Sequence, residues 1–462
     1  MLRKVKQSEV ELIHEKTLYL LEHTGVDFEH DEIVEEFKNH GARTKGHRVF
    51  LNRNLVELAV STLKPSFVLK TPFEEVKIGE GGQAFASASG STRILRDGQL
   101  YDATLRDYIM ARKLDATSPL INLSSSPLMY LSDIPEKESF LLKAALTLKY
   151  SKHPAVMSCA DKQDAEDTIT LARDFYDTDE GYYTIGIGNM ISPLYYGRHN
   201  VESLLAYTRR NLPVVIACCS SPGLTSPITL SGTIIQNNAE VLAGIVMTQL
   251  VNPGAPVVYG NVTFSSNMRT AETVSWGPEV DVICHYAKAM ADFYGLPFRG
   301  GGSLSSAKEL DYQNGAETAL ALQATMDAGT DLVFHIFGEM DGLNIFSFEK
   351  YVLDEELLAS MRSIQDRDLF DEELLCMESM EEVGPHGNYL AEDETVEFYQ
   401  SEIFCPKLFN TSSYSTWEAK GGPSVQENAK TLVEKRLAEY ELPEYTPKQQ
   451  KILEDVLRGV DA

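Results

Sequence analysis

Between residues 104 and 352 one pattern repeats: a short apolar run, a loop rich in Gly, Ser, Asn and Pro, then an amphipathic helix. The apolar runs centre near residues 120, 155, 184, 215, 257, 298 and 333. Alternating strands and helices at this spacing predict a parallel sheet covered by helices. The runs are near-continuously hydrophobic (PVVIACC and APVVYG among them), as expected of strands buried on both faces. Seven units predict an α/β fold, a TIM (β/α)8 barrel that needs one more strand to close. Candidates for that strand are residues 387–391 or the 81–102 region. The alternative is an open doubly wound sheet. Closure is preferred because polar loops follow every strand and no single switch point stands out. The expected organisation is an N-terminal extension of helices and a hairpin over 1–103, the barrel over 104–400, and a helical tail over 401–462 that packs on the barrel or mediates homo-oligomers.

Local signals place the elements. Ser8-x-x-Glu11, Thr104-x-x-Asp107, Asp161-x-x-Asp164, Ser424-x-x-Glu427 and Thr446-Pro447 read as helix starts. Asp97-Gly98 reads as a tight hairpin turn. Strands with their polar ends are read over 120–128, 154–160, 182–194, 213–229 and 255–268, and near 298 and 333. Acidic helices follow at 354–366 and 371–382.

Charge narrows the partners. With 68 acidic against 41 basic residues the net charge is −27, which disfavours nucleic acid and anionic membrane surfaces. No apolar run reaches the ~18 residues a membrane span needs. The N-terminus lacks the apolar core of a secretory signal. The six cysteines include no C-x-x-C pair. Cys218 and Cys219, adjacent in an apolar run, read as buried free thiols. The expectation is a cytoplasmic protein with reduced cysteines.

No G-x-S-x-G, HExxH or phosphate-binding loop is present, and the ten histidines are scattered rather than spaced as metal ligands. Lys308 is a candidate Schiff-base lysine, with a helix-start surface lysine as the plain alternative. What recurs is aromatic residues beside carboxylates and small polar groups at strand ends: Tyr259 with Asn261, Phe334, Phe337 and Glu339, and Phe346 with Phe348. Aromatic faces attract quaternary ammonium groups.

The densest stretch, GLPFRGGGSLSSAKELDYQNGAE followed by DLVFHIFGEMDGLNIFSFEKYVLDEEL, resembles the trimethylamine methyltransferase superfamily. So do IHEKTLYLLEHTGVDFEHDE, NHGARTKGHRVFLNR, DATLRDYIMARKLDA and FCPKLFNTSSYSTWEAKGG, in order along nearly the whole chain. The resemblance implies a TIM barrel that moves a methyl group from an amine to the cob(I)alamin of a separate corrinoid protein, with no metal bound by the barrel itself. The founding archaeal enzymes carry pyrrolysine at the substrate face. That position falls within Gly302–Ser305 here, where ordinary residues stand. Relatives without pyrrolysine act on quaternary amines, which implies glycine betaine as donor, with proline betaine, carnitine or γ-butyrobetaine as alternatives. A non-catalytic quaternary-ammonium-binding protein is a further alternative. No protein nucleophile is expected. For such a substrate, Tyr259, Phe337, Phe346 and Phe348 are expected to cage the ammonium, with Glu339 adding charge. Arg299 or His335 would hold a carboxylate, and Gly300, Gly301 and Gly302 would let backbone approach the ligand. Asn261 is grouped with these contacts, and Asp311 and Gln313 would order the following loop.

Overall fold

The computed structural model describes residues 4–157, 161–363 and 369–460. Cys159 and the end of the helix expected at 354–366 lie outside the described residues.

Eight parallel strands form the central sheet: β1 (Ala84–Phe85), β2 (Ser124–Ser125), β3 (Ala155–Met157), β4 (Thr184–Asn189), β5 (Val214–Cys218), β6 (Val257–Asn261), β7 (Phe298–Gly300) and β8 (Leu332–Val333). Each neighbour in sequence pairs in space, and β8 pairs β1. The ring closes between β1 and β2. A parallel bridge joins Ala86 to Leu123, the Leu123 amide donates to the Phe85 carbonyl, and the Ser87 amide donates to that of Leu123. The closing strand therefore comes first, from the 81–102 region, while 387–391 forms no strand. The barrel thus draws β1 from within the stretch expected to be its N-terminal extension.

A helix follows every strand: α1 (Leu105–Ala116), α2 (Glu136–Tyr150), α3 (Lys162–Tyr176), α4 (Arg198–Arg209), α5 (Leu230–Val251), α6 (Pro278–Phe293), α7 (Tyr312–Asp327) and α8 (Phe348–Arg362). Thr104 with Asp107 forms the expected capping box on α1, and Asp161 caps α3. Ser424 with Glu427 and Thr446 with Gln449 cap the tail helices Val425–Glu439 and Pro447–Val456, which pack on the barrel helices. One cap differs. The first helix, Gln7–His23, begins a turn-fraction earlier than Ser8-x-x-Glu11 predicts, because Glu9 reaches back to the Lys6 amide (3.0 Å). Asp97 and Gly98 make the expected turn between Arg93–Arg96 and Gln99–Asp102, both with positive φ as a two-residue hairpin turn requires.

Two hydrophobic layers result. Ala84, Leu123, Val156, Ile185, Val215, Val258 and Leu332 fill the barrel interior. The antiparallel hairpin Phe67–Lys70/Glu75–Ile78 packs Phe67, Leu69, Val76 and Ile78 into the same cluster. It bridges Tyr182, just before β4, and so seals the N-terminal end of the barrel. A larger outer layer lies between sheet and helices. α5 is apolar nearly all round because it is covered on both sides, by the sheet and by helix Gln7–His23, where Asn238 donates to Thr17 Oγ1 (2.8 Å). Among the described residues no helix is long and apolar enough to cross a membrane.

Glu240 on α5 is buried and ties down the loop after β4. It accepts hydrogen bonds from the Leu194 amide (2.9 Å) and the Ser192 hydroxyl (2.8 Å). Burial pushes its pKa from 4.5 to about 7. The folded protein thus keeps a proton that the unfolded chain has lost, so this contribution to stability is complete below pH 4.5 and disappears as pH rises through about 7. In thermal melts between pH 5 and 8, Glu240→Gln should gain Tm relative to the native protein as pH rises. A constant difference across that range would contradict this assignment.

Candidate functional site

The open end of the barrel is the C-terminal face of the strands, where active sites of this architecture lie. Strand register shows which side chains point into it. Cα partners run Asn189–Ala217–Gly260–Arg299–Leu332–Ala84 across β4 to β8 and β1. Laterally paired residues share a face of a sheet. Ala217, Leu332 and Ala84 belong to the interior cluster, so Asn189, Gly260 and Arg299 face the lumen with them.

Arg299 dominates that row. It is 1% exposed, and its Nε and Nη1 atoms have no hydrogen-bond partner. Its guanidinium lies 4.9 Å from the ring centre of Phe334, another interior residue. Burial lowers its pKa to about 10, opposed by the nearby Cys219, Glu339 and Cys218, so it stays charged at neutral pH. On one side of it in the row come Gly260 and then Ala217, the smallest side chains available. A Cβ on Gly260 would sit 2.7 Å from the Ala217 methyl. The strands approach so closely there that only glycine fits beside the guanidinium.

Glu339 and His335 form a second polar pair. Glu339 is fully buried, with one oxygen 2.7 Å from His335 Nδ1 and the other accepting the Ser89 amide (3.0 Å). The carboxylate assigns the Nδ1 proton to the histidine. His335 has φ +58°, a left-handed conformation uncommon for a non-glycine residue. Its carbonyl accepts the Ser303 amide (3.0 Å). The approach of these two loops is what requires Gly302: a Cβ there would lie 2.5 Å from the His335 carbonyl oxygen and 2.7 Å from that of Phe334. Gly301 has no such crowding; its carbonyl accepts the Thr325 hydroxyl (2.8 Å).

Behind the loops, α8 supplies a buried ion pair. Lys350 Nζ and Asp354 Oδ2 are 2.6 Å apart. Lys350 also donates to the Ser303 carbonyl (2.9 Å), while Asp354 accepts from Ser303 Oγ (2.7 Å) and the Gly338 amide (2.8 Å). One pair therefore pins both the Gly301–Ser303 turn and the His335–Gly338 turn. The period-of-four spacing of Lys350 and Asp354 on one helix face was the available sequence signal.

The remaining expected site residues lie elsewhere. Tyr259 pairs laterally with Ile216 and Phe298, so it points outward; its hydroxyl donates to Asn238 Oδ1 on α5 (3.0 Å). Asn261 also points outward, donating to Cys218 Sγ (3.2 Å). Phe337, Phe346 and Phe348 cluster with Tyr351 beneath α8, with ring centres 5.1 to 6.3 Å apart. The four expected cage rings are thus outer-layer packing residues, because alternation along β6 and the turn after β8 carry them away from the lumen. Phe334 is the lumen aromatic. Cys219, expected to be buried, is exposed, unlike Cys218. Lys308 lies on the surface, 3.0 Å from Asp341, and Asp311 caps α7 by accepting the Asn314 amide (3.0 Å). Gln313 bonds Glu317 on the same helix.

Removing one partner of the buried pair would strand the other charge, a loss of about 3–5 kcal/mol. Lys350→Met should lower stability by that order in urea melts, and Lys350→Met/Asp354→Leu by clearly less. Equal losses would show that the pair is not coupled.

Comparison with known proteins matches this arrangement along its length. Residues 1–459 match the family model described as "Trimethylamine methyltransferase (MTTB)". Glycine betaine methyltransferase of Desulfitobacterium hafniense (strain Y51) is 31% identical over 96% of this chain and 93% of its own. Proline betaine:corrinoid methyltransferase of Eubacterium limosum is 33% identical, covering 97% and 96%. L-carnitine:corrinoid methyltransferase of the same organism is 30% identical, covering 97% and 95%. Among solved structures, the Methanosarcina barkeri monomethylamine methyltransferase superposes with a TM-score of 0.53 at 12% identity over 94% of this chain and 95% of that one, a likeness of fold. The chain belongs to the trimethylamine methyltransferase (MTTB) family.

Proposed function

We propose that this chain binds a quaternary amine bearing a carboxylate and transfers one N-methyl group to the Co(I) corrinoid of a separate protein. The observation that carries the reading is Arg299: a buried, charged guanidinium with two nitrogens unpartnered, facing the lumen. A buried charge without a partner is costly, and a bound carboxylate answers that cost with charge-assisted hydrogen bonds. An amine lacking a carboxylate would add like charge beside it. Glycine betaine is the favoured donor, giving dimethylglycine; its name and those of two larger betaines are carried by the relatives above.

The chemistry asks little of the protein beyond placement. The C–N bond breaks with its electron pair passing to nitrogen, a neutral tertiary amine leaves, and the cobalt electron pair forms the new bond to carbon. The quaternary nitrogen is already cationic, so no proton transfer is needed. Binding, alignment and exclusion of water are the protein's tasks. Glu339 offers the ammonium a negative partner. The sealed lower end leaves only the mouth for the acceptor. Tyr130, Ile191, Ile228 and Met268 stand on four of the strand-to-helix connections around that mouth and Tyr312 opens α7, each 52–92% exposed. They form an apolar rim suited to a protein partner.

Arg299→Met should weaken glycine betaine binding by about 2–5 kcal/mol, read by calorimetry. Binding of choline, which has no carboxylate, should change little. Methyl transfer, followed by the loss of Co(I) corrinoid absorbance with glycine betaine present, should fall in parallel. Native-like betaine binding by the variant would refute the carboxylate reading. Binding without any methyl transfer in the native protein would favour a non-catalytic quaternary-ammonium binder.

A further inference from the structure

The lumen holds a group that the residues considered so far leave unused. In the run from Leu212 to Pro222, Cys219 is the only exposed residue. Its parity explains why. Val214, Ile216 and Cys218 belong to the outer layer, Val215 and Ala217 to the interior, and Cys219 continues the interior face one step above Ala217. Ala217 stands two strands from Arg299 in the lumen-facing row, with only Gly260 between them. Asn189, the exposed last residue of β4, flanks Ala217 on the other side. The thiol and the unpartnered guanidinium are close enough to influence each other's charge. The row thus presents, in order, an amide, a methyl, a bare backbone and a guanidinium, with a thiol overhanging the small residues. A ligand that reaches Arg299 from the mouth passes the exposed Cys219 and Asn189, because the row beneath them, Ala217, Gly260 and Arg299, is buried.

We propose that Cys219, with Asn189 beside it, is a substrate-contacting wall of the chamber and sets how bulky a carboxylate-bearing quaternary amine it admits. This rests on the reading of Arg299 given above. The thiol is walled by protein yet open to the mouth; burial pushes its pKa up to about 11 and Arg299 opposes this. It therefore stays protonated at neutral pH and serves as a contact surface rather than a nucleophile.

The native protein is treated at pH 9 with methyl methanethiosulfonate, and labelled peptides are resolved by mass spectrometry. The Cys219 thiolate attacks the sulfenyl sulfur, methanesulfinate leaves, and a methyl disulfide remains. Saturating glycine betaine should slow labelling of Cys219 at least tenfold and leave the surface thiol of Cys405 unaffected. Cys219→Leu should weaken proline betaine and L-carnitine about 10- to 100-fold more than glycine betaine in calorimetry, the range expected for added bulk in a fitted pocket. Labelling at one rate with and without betaine would overturn the proposal, even if the leucine variant failed to fold. So would a folded leucine variant with all three affinities unchanged. Loss of binding in Arg299→Met together with indifference at Cys219 removes this inference alone; native-like binding by Arg299→Met removes the reading beneath it.

Discussion

A guanidinium without a carboxylate of its own, inside a closed barrel, is the constraint around which the rest of the structure is arranged. Side chains that reach the lumen are small or neutral where they flank Arg299, and the aromatic face of Phe334 supports it from one side. Other buried ionic groups near the site are matched within the chain: Lys350 by Asp354, and Glu339 by His335 and the Ser89 amide. The asymmetry is chemical. Among the described residues Arg299 has no carboxylate hydrogen-bonded to it, whereas its ionic neighbours have partners.

That incompleteness needs a stiff surround, since a buried unpaired charge otherwise draws in loops or water. The Lys350–Asp354 pair and the crowding at Gly302 supply it, locking the turns after β7 and β8 against each other and holding His335 in a left-handed backbone conformation. The outer aromatic cluster of Phe337, Phe346, Phe348 and Tyr351 packs α8 onto the same turns. Rings that resemble a ligand cage in the sequence serve here as the packing that keeps the turns beside Arg299 in shape.

Much of the fold was legible because it follows local rules. A strand within or beside each of the seven apolar runs, the barrel-helix caps at Thr104 and Asp161, the tail-helix caps at Ser424 and Thr446, and the Asp97-Gly98 turn appear where sequence places them, although the first run keeps only Ser124–Ser125 as strand. β1 was harder to see, since Ala84–Phe85 is two residues in a Gly/Ser-rich stretch and owes its strand character to partners hundreds of residues away. The candidate site was half legible. Arg299, His335, Glu339, Gly301 and Gly302 come together at the mouth of the barrel. Tyr259 and Asn261 do not, although they share a strand end with lumen residues. Strand-end position alone cannot separate the two faces; alternation counted from Val258 and Gly260 does. The same count brings out Cys219 from the pair Cys218–Cys219.

The hairpin of Phe67–Ile78 that seals the lower end has a kinetic meaning. A vessel with one opening cannot exchange its small contents while a large body covers that opening. If the chain acts as proposed above, the amine enters before the acceptor protein seats, and the demethylated product leaves after it lifts away. On that reading, substrate entry, seating of the acceptor and product release follow one another in a fixed order.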